Sequence, residues 1–513
     1  MPLPRARLSW AVPAALLVTM AGLLVASSLH KKLAYDEFDN LAYGHRFLIE
    51  GPSAEMNGQR MPVLALNAAP CLGDGCRLKI LNLSEGKRLL VRLPTMAFCL
   101  ATGALLYLWA GEMLGARAAL LTLVLFVFQP TFLGHGKQVT SDTQSAFFLA
   151  AAAYCVWKAV RSGSNGWAVA TGLALAGGLA SKFTNMLAVP IVVVLAFTIA
   201  APAVPLRRRA TIVVIACLTA LVGINAAYLF DGTFQPGVSY VWRSAGFPHL
   251  VPSWLPIPLP RAFVLGLDYS HLLQEDQYLG RGNNYVLGEL NRDGRWYAFP
   301  LMILLKTPLA TFVLFALARR RLPRSVAWIL LLPAGVVIAV FSFFVDPQLG
   351  IRYVLPAFPF LILVAGAATP ESPRWPRLQW SLAIWAVVSS LSYYPHFISY
   401  FNELIGRRLN AYRYLADSNL DWENHNWWIE RYQRAHPELH LVVNPEGPTA
   451  GDIVVSTNQL VGVLRVDKYR WLRENFEPVG HVAYGHLLYR ITPEELASLH
   501  LPPSTPVPPD PEE

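Results

Sequence analysis

Two adjacent carboxylates, Asp36 and Glu37, follow the first long apolar stretch of the chain. They stand in the run Tyr35-Asp36-Glu37-Phe38-Asp39, where a helix leaving a membrane would reach the depth of the lipid headgroups. Successive side chains on a helix point about 100° apart, so only one of the pair can face a given cavity. A carboxylate there could act as a general base that takes a proton from an attacking hydroxyl group. The alternative interpretation is the solvated end of an acidic loop.

Basic side chains recur at the same level of other apolar stretches. Cations around one acidic pair could form an anion-binding rim and stabilise negative charge that develops on a leaving phosphate. Taken singly, each could instead extend toward lipid headgroups. The basic and acidic residues at this level are Arg88, Arg92, His135, Lys137, Asp142, Lys182 and Arg352.

Lys306 differs from these cations because it lies two turns inside an apolar stretch. A lysine within hydrocarbon costs ~2.5–3.5 kcal/mol on insertion scales. Lys306 is therefore expected to have a buried partner or a functional role.

The elements that must position these residues are long apolar stretches. Of the 513 residues, 54% are hydrophobic and 15% are charged, whereas a soluble domain has about 25% charged residues. Because about 20 apolar residues cross a bilayer as a helix, the pattern predicts an α-helical polytopic membrane protein with about eleven transmembrane helices. The predicted spans are Leu8–Leu29, Leu93–Leu114, Ala118–Leu133, Thr143–Val160, Trp167–Ala180, Phe183–Ala201, Ala210–Phe230, Phe299–Leu317, Val326–Val345, Tyr353–Ala368 and Leu378–Tyr394.

The positions of the positive charges predict the orientation of these helices. With the N-terminus in the cytoplasm, every short cytoplasmic connection carries at least one arginine, as the positive-inside rule requires. An odd number of spans then puts the C-terminus outside. Most of the net charge of +9 is explained by these orientation signals, because the lysines and arginines punctuate apolar runs. They do not form the continuous basic face of a nucleic-acid-binding protein.

Three large polar segments lie outside the cytoplasm in this topology, at residues 30–92, 231–298 and 399–513. The sequence predicts a transmembrane domain over residues 1–398, a small external α/β domain over residues 399–501 and a disordered proline-rich tail over residues 502–513. Within the α/β domain the patterns predict two helices and three strands. The helices are expected near Trp422–Ala435 and Lys468–Phe476, and the strands at Leu439–Val443, Asp452–Ser456 and His486–Ile491.

Two polar features of the external segments have structural interpretations. Asp421 precedes a helical pattern, and a helix N-cap explains it more simply than a metal ligand does. Cys71 and Cys76 share a polar loop, where a disulfide and two free thiols are both open. No ligand spacing in the sequence predicts a metal site, so no cofactor is assigned and a divalent cation is left open.

Several segments resemble the C-type glycosyltransferases, in particular the bacterial protein-mannosyltransferase-like and aminoarabinose-transferase-like enzymes. The acidic pair resembles the one in the first external loop of that superfamily, and the resemblance covers nearly the whole chain. The other matching segments are Val91-Arg92-Leu93-Pro94, Ser141-Asp142, Ala180-Ser181-Lys182-Phe183-Thr184, Gly294-Arg295-Trp296-Tyr297, Leu305-Lys306-Thr307-Pro308-Leu309, Arg352-Tyr353-Val354-Leu355-Pro356, Tyr400-Phe401-Asn402-Glu403 and Asp417-Ser418-Asn419-Leu420-Asp421-Trp422.

The resemblance implies transfer of one sugar, a mannose-like hexose or a modified pentose, from a polyprenyl-phosphate donor, with inversion. The acceptor would be a protein, a glycolipid or a polysaccharide at the periplasmic face of a bacterial inner membrane. Asp36 would be the base, with Glu37 either assisting it or ordering the site. The implied donor-phosphate ligands are Arg88, Arg92, Lys182, Lys306 and Arg352, and the implied pocket residues are Tyr35, His135, Lys137, Asp142 and Tyr353.

The chain departs from the family pattern at two places. Arg60-Met61-Pro62-Val63-Leu64 stands where relatives often have His-Pro-Pro, and Glu423-Asn424 stands where Gly-Gln is common. The alternative function is a lipid or sugar translocator, in which Lys306 and the interrupted fifth and sixth spans would serve as a midplane site. Transporters usually show internal repeats and matching interrupted spans, and the sequence shows no such symmetry. A non-catalytic relative that binds glycan is a third interpretation.

Overall fold

The computed structural model describes residues 10–52, 59–73, 83–275, 284–319, 322–368, 376–422, 425–463 and 468–499. Cys76 and the tail predicted over residues 502–513 lie outside these ranges, and Cys71 is buried. The possible disulfide and the disordered tail therefore stay predictions.

Helices make up most of the first 400 residues. In chain order they are α1 (Ala11–Ser28), α2 (Tyr35–Glu50), α3 (Leu64–Ala68), α4 (Glu85–Leu114), α5 (Ala116–Val127), α6 (Pro130–His135), α7 (Asp142–Ser162), α8 (Asn165–Leu179), α9 (Ala188–Thr198), α10 (Leu206–Ala227), α11 (Phe247–Leu250), α12 (Arg261–Glu275), α13 (Ala298–Lys306), α14 (Leu309–Arg319), α15 (Arg324–Phe344), α16 (Phe358–Gly366) and α17 (Pro376–Leu391). A 3₁₀-helix at Ile351–Ala357 leads directly into α16.

Four of the described helices, α1, α4, α10 and α15, are long and apolar enough to cross a membrane. Helices α13 and α14 would form a fifth span, although they meet at an angle of 106°. Pro308 lies at this break, where it cannot donate the backbone hydrogen bond of a continuous helix. The chain is an integral membrane protein, whereas the number of eleven spans and their orientation stay predictions.

Helices α8 and α10 approach each other closely at glycine positions. A Cβ atom at Gly172 would lie 2.5 Å from the carbonyl oxygen of Ala216, and one at Gly223 would lie 2.5 Å from the Cβ of Ala176. Small residues at such crossings let helix backbones pack closely where lipid supplies no hydrophobic driving force between helices. The glycine-rich composition of α8 is thus explained by packing.

Beyond α17 the chain forms a small mixed structure. Its helices are α18 (Asn426–Ala435), α19 (Thr457–Leu460), α20 (Arg470–Asn475) and α21 (Pro493–Ser498). A hairpin of β1 (Asn284–Val286) and β2 (Glu289–Asn291) lies earlier in the chain, before α13. The remaining strands are β3 (Val442–Val443), β4 (Gly451–Ser456), β5 (Gly480–Val482) and β6 (His486–Ile491). They form a sheet in the order β3-β4-β6-β5, in which only β3 and β4 are parallel.

A buried ion pair between Glu37 and Arg92 ties the start of α2 to α4. The Arg92 Nε and Nη2 atoms donate to the two carboxylate oxygens of Glu37 at 3.0 and 2.8 Å. The same carboxylate accepts the backbone N–H groups of Ala34 and Val139 at 2.8 and 2.9 Å. Arg92 also donates to the carbonyl oxygens of Ser28, at the end of α1, and of Lys31 and Lys32, just beyond it. One ion pair therefore joins α1, α2, α4 and the segment before α7.

Breaking this pair should destabilise the protein strongly, because the remaining charge would be buried without its partner. Glu37→Gln is expected to cost ~3–5 kcal/mol. The measurement is the melting temperature of the detergent-solubilised protein.

Arg60→Ala is the control, since it breaks the partly exposed ion pair between Arg60 and Asp39 of the same helix. That change should cost at most ~1 kcal/mol. Equal melting temperatures for the two variants would contradict a structural role for the Glu37–Arg92 pair.

Candidate active site

Four charged residues from four separate parts of the chain converge beside the start of α2. Arg352 Nη1 lies 2.9 Å from Asp36 Oδ2 and 4.0 Å from Asp142 Oδ2. Lys182 Nζ lies 2.5 Å from the other oxygen of Asp142. Charges of opposite sign alternate through this group, in the order Asp36, Arg352, Asp142, Lys182. We call these four residues the charge cluster.

Exposure increases from one side of the charge cluster to the other. The Asp142 side chain is only 4% exposed and Arg352 is 15% exposed, whereas Lys182 and Asp36 are 22% and 36% exposed. Asp142 is thus the buried anchor that holds two cations together. Lys182 and Asp36 are the most exposed members, and Arg352 also keeps part of its side chain accessible to a ligand.

Aromatic side chains form one wall of the charge cluster. The ring of Tyr353 lies 5.0 Å from Lys182 Nζ and 5.4 Å from the guanidinium carbon of Arg352. The ring of Trp422 lies 4.3 Å from the same guanidinium carbon, and His135 packs against Trp422 at 5.5 Å. Aromatic faces attract cations at these distances and restrict their motion. The predicted pocket residues His135, Asp142 and Tyr353 are therefore brought together.

The segment that carries Arg352 is positioned by residues 418 and 419. Ile351 N donates to Asn419 Oδ1 at 2.9 Å, and Ser418 Oγ donates to the carbonyl oxygen of Leu349 at 2.9 Å. A Cβ at Gly350 would lie 2.1 Å from Ser418 Oγ, so glycine is required for this approach. The orientation of Arg352 consequently depends on a chain segment that follows the last long helix.

Lys306 is buried next to this segment, and backbone carbonyl oxygens accept hydrogen bonds from its ammonium group. Lys306 Nζ donates to the carbonyl oxygens of Ile398 and Asn419 at 2.6 and 2.5 Å. Its ammonium also lies 4.3 Å from the ring of Phe401. The expected buried partner of Lys306 is thus the backbone of the C-terminal segment. This anchoring explains Lys306, one of the two observations behind the translocator alternative, without a transport role.

Several predicted phosphate ligands and pocket residues are not drawn into the charge cluster by any described contact. Lys137 is buried and donates to the carbonyl and hydroxyl oxygens of Ser27. Arg88 Nη1 donates to the carbonyl oxygen of Leu83, and Arg92 is held by Glu37. Tyr35, at the start of α2, is 79% exposed. Lys182 and Arg352 are the predicted phosphate ligands that stand beside Asp36.

Asp421 is not the helix N-cap that the sequence predicted. Helix α18 begins at Asn426 and its N-cap residue is His425. Asp421 instead accepts a hydrogen bond from Ser456 Oγ at 2.5 Å and lies 3.4 Å from His425 Nδ1. The N-cap interpretation failed because the polar run before the helix turns back to meet β4 of the sheet.

Sequence reasoning also missed the grouping of Asp421 and His425 with His486, the first residue of β6. Burial alone would raise the pKa of Asp421, but His486, His425 and Ser456 together hold it below its usual value. The only hint in the sequence was the spacing of Asp421 and His425, four residues apart. His486 lies in a separate strand-like run, so its position could not be inferred.

Asp417 approaches the charge cluster from the same C-terminal segment. Its backbone has a φ of 57°, in the left-handed region that aspartate and asparagine tolerate best. Its Oδ1 accepts the backbone N–H of Ser418 at 2.5 Å. Burial raises the pKa of Asp417 to about 6, although Arg352 and the Ser418 N–H act in the opposite direction.

Comparison with known protein families gives a match in the first half of the chain. Residues 79–228 match the family described as dolichyl-phosphate-mannose-protein mannosyltransferase. This segment contains Asp142 and Lys182 of the charge cluster, whereas Asp36 and Arg352 lie outside it. The match confirms the predicted resemblance to C-type glycosyltransferases. Comparison with curated proteins finds no match.

Three solved structures illustrate what the chain is similar to. ArnT from Cupriavidus metallidurans bound to undecaprenyl phosphate has a TM-score of 0.47 and 16% identity, over 79% of this chain and 73% of that one. The oligosaccharyltransferase AglB from Archaeoglobus fulgidus, in complex with an inhibitory peptide and a dolichol-phosphate, has a TM-score of 0.46 and 10% identity, over 91% and 73%. The Saccharomyces cerevisiae Pmt1–Pmt2 complex bound to its sugar donor has a TM-score of 0.33 and 20% identity, over 44% and 34%.

The raised pKa of Asp417 predicts that wild-type stability falls as pH rises. The folded state holds the Asp417 proton up to about pH 6, whereas the unfolded chain releases it near pH 3.8. Between these values folding binds a proton, so raising the pH disfavours the folded state. From about pH 5 to about pH 7.5 this loss is on the order of 1 kcal/mol.

Asp417→Asn keeps the side-chain shape and tolerates the positive φ, but it cannot ionise. The melting-temperature difference between this variant and wild type should therefore shift in favour of the variant as pH rises over that range. A difference that is constant with pH, measured in the same detergent and buffer, would contradict the raised pKa.

Proposed function

We propose that the protein transfers a sugar from a polyprenyl-phosphate carrier to an acceptor hydroxyl at the charge cluster. The observation that carries this proposal is the placement of one accessible carboxylate, Asp36, beside two cations, Lys182 and Arg352. A general base and an electrostatic site for a leaving phosphate are the two requirements of such a transfer. The match of residues 79–228 to a mannosyltransferase family supports the same class of reaction.

Lys182 and Arg352 are proposed to bind the donor phosphate. Asp142 holds both cations and offsets their mutual repulsion, so the site is arranged before the donor arrives. Arg352 Nε is buried and has no hydrogen-bond partner among the described residues, so the guanidinium keeps an unused donor at this site. A guanidinium and an ammonium together can stabilise a phosphate through charge-assisted hydrogen bonds.

Asp36 is proposed to be the general base. Its ion pair with Arg352 uses Oδ2, and the partly exposed carboxylate can accept the proton of an acceptor hydroxyl. As this proton passes to Asp36, the hydroxyl oxygen forms a bond to the anomeric carbon. The bond from that carbon to the phosphate oxygen breaks, and the phosphate leaves with the electron pair beside Lys182 and Arg352. A single displacement with one base inverts the anomeric configuration.

Of the two roles that the family resemblance implied for Glu37, ordering the site is the one we propose. Its carboxylate is fully buried and occupied by Arg92 and two backbone N–H groups. We propose that Glu37 and Arg92 order the start of α2 and hold Asp36 in place. The contacts of Arg92 support this positioning role better than direct binding of the donor phosphate.

We propose a mannose-like hexose or a modified pentose carried on a polyprenyl phosphate, and a protein, glycolipid or polysaccharide acceptor. The proposed location is a bacterial inner membrane, with the charge cluster on the periplasmic side. An anchored lipid donor requires a site at the membrane boundary, and Asp36 follows the apolar helix α1 by a short connection.

Asp36→Asn should lower the rate of sugar transfer by about 10²–10⁴-fold, because it removes the base and keeps the side-chain shape. Membranes that contain either wild type or the variant would be supplied with radiolabelled polyprenyl-phosphate mannose. The corresponding glucose and aminoarabinose carriers would then be tested in the same way. The measurement is the movement of label from the lipid to an acceptor.

Asp39→Asn is the matched control, since Asp39 lies on the same helix and pairs with Arg60 at 2.5 Å. It should retain activity near that of wild type. Equal transfer by wild type and the Asp36 variant would remove Asp36 as the base. No transfer with any of the three carriers would count against the proposed donor class.

Lys182→Gln should weaken binding of the donor, because it removes one of two charges that face the phosphate. A charge-assisted hydrogen bond contributes ~1.5–3 kcal/mol, so the KM for the donor should rise by about 10-fold or more. Free polyprenyl phosphate should also become a weaker competitive inhibitor.

Lys32→Gln is the control for this experiment, because Lys32 is an exposed lysine just after α1. It should leave the KM for the donor unchanged. An unchanged KM in the Lys182 variant, together with unchanged inhibition, would exclude Lys182 as a phosphate ligand.

A further inference from the structure

Asp421, His425 and His486 form a compact group in the part of the chain that follows α17. One potential ligand atom from each residue lies within 4.8 Å of the other two. Asp421 Oδ1 and His425 Nδ1 are 3.4 Å apart. The group is shielded from solvent, because the side chains of Asp421 and His425 are 9% and 1% exposed and His486 is 7% exposed.

One potential ligand atom of this group lacks a partner in the described part of the chain, and another belongs to a carboxylate that a neighbouring hydroxyl orients. His486 Nδ1 is buried and has no hydrogen-bond partner among the described residues, although buried polar atoms are nearly always paired. Asp421 Oδ2 is held by the Ser456 hydroxyl at 2.5 Å, which orients the carboxylate. Residues that do not touch the metal themselves typically orient a metal ligand by such a hydrogen bond.

Gly485 leaves room beside the group. A Cβ atom at this position would lie 3.0 Å from Asp421 Oδ1 and 3.1 Å from His425 Nδ1. Any larger residue at position 485 would therefore press on both potential ligands. The absence of a side chain keeps this space open.

We propose that Asp421, His425 and His486 bind one divalent transition-metal ion, and that zinc fits them best. Two imidazoles and one carboxylate are typical zinc ligands, and a water molecule or another donor would complete a tetrahedral set. At zinc–ligand distances of about 2.1 Å, tetrahedral ligand atoms lie about 3.4 Å apart. The Asp421–His425 distance already has this value, so only His486 has to move closer.

The proposed ion would fasten the segment before α18 to the sheet. Ser456 and His486 face each other in the register of β4 and β6, while Asp421 and His425 come from the segment that also carries Trp422. Trp422 lies against the Arg352 guanidinium at 4.3 Å. The metal would thus hold in place the ring that packs on the charge cluster, and its role is structural.

The first test measures metal content in tag-free, detergent-solubilised full-length protein. The protein would be stripped with a chelator, equilibrated with zinc chloride, freed of unbound metal and analysed by mass spectrometry for zinc. The expected content is about one zinc per chain. His425→Gln and His486→Gln should each lower it by about tenfold or more, since each removes one of three protein ligands.

His436→Gln is the control, because His436 is a partly exposed histidine of the same region, paired with Glu438. It should bind zinc as wild type does. Cobalt(II) added to the stripped wild-type protein should also give the intense visible absorption of a tetrahedral site, a readout that does not depend on the folding of any variant.

Wild-type protein that retains no zinc and gives no tetrahedral cobalt spectrum would overturn the proposal. Unchanged zinc content in both ligand variants would also overturn it. None of these readouts uses sugar transfer, so they remain distinct from the test of Asp36.

Discussion

A charge at the boundary of a membrane must be paired or hydrogen-bonded, and the ion pair of Glu37 and Arg92 meets this requirement at the start of α2. Both side chains are almost completely buried, at 0% and 2% exposure. Because Glu37 is turned inward to Arg92, the neighbouring side chain must point about 100° away around the helix. That direction brings Asp36 to Arg352. The buried pair therefore determines which of the two carboxylates stands on the accessible side.

The same requirement is met in two different ways by four of the cations predicted to lie near the site. Lys137 and Lys306 are buried, and backbone carbonyl oxygens accept hydrogen bonds from their ammonium groups. Lys182 and Arg352 are paired with carboxylates and remain partly exposed. Carbonyl oxygens satisfy an ammonium without leaving it available for a ligand. A site that binds an anion needs cations of the second kind, and two of these lie beside Asp36.

The C-terminal part of the chain contributes to the charge cluster although it follows the long helices. Lys306 holds the backbone at Asn419, and the Asn419 side chain accepts the N–H of Ile351. Trp422, three residues further, covers the Arg352 guanidinium. The sheet and the group of Asp421, His425 and His486 anchor the other end of this segment. A substitution in this region can therefore alter the geometry of the charge cluster through few intermediate contacts.

Features that depend on local pattern could be predicted from the amino-acid sequence alone. The apolar runs predicted an integral membrane protein, and the strand-like run His486–Ile491 coincides with β6. The sequence also predicted that an acidic pair follows the first apolar stretch and that only one of its members can face a cavity. The second prediction was possible because side-chain direction along a helix depends only on residue spacing. The folded structure was needed to establish that Asp36 is this member, that Lys182 and Arg352 are its neighbouring cations, and that Asp421 meets His486 instead of capping a helix. Partners such as Asp36 and Arg352 lie far apart in the sequence. They are selected by how the helices pack and by which charges the backbone has already satisfied, and no local pattern records that selection.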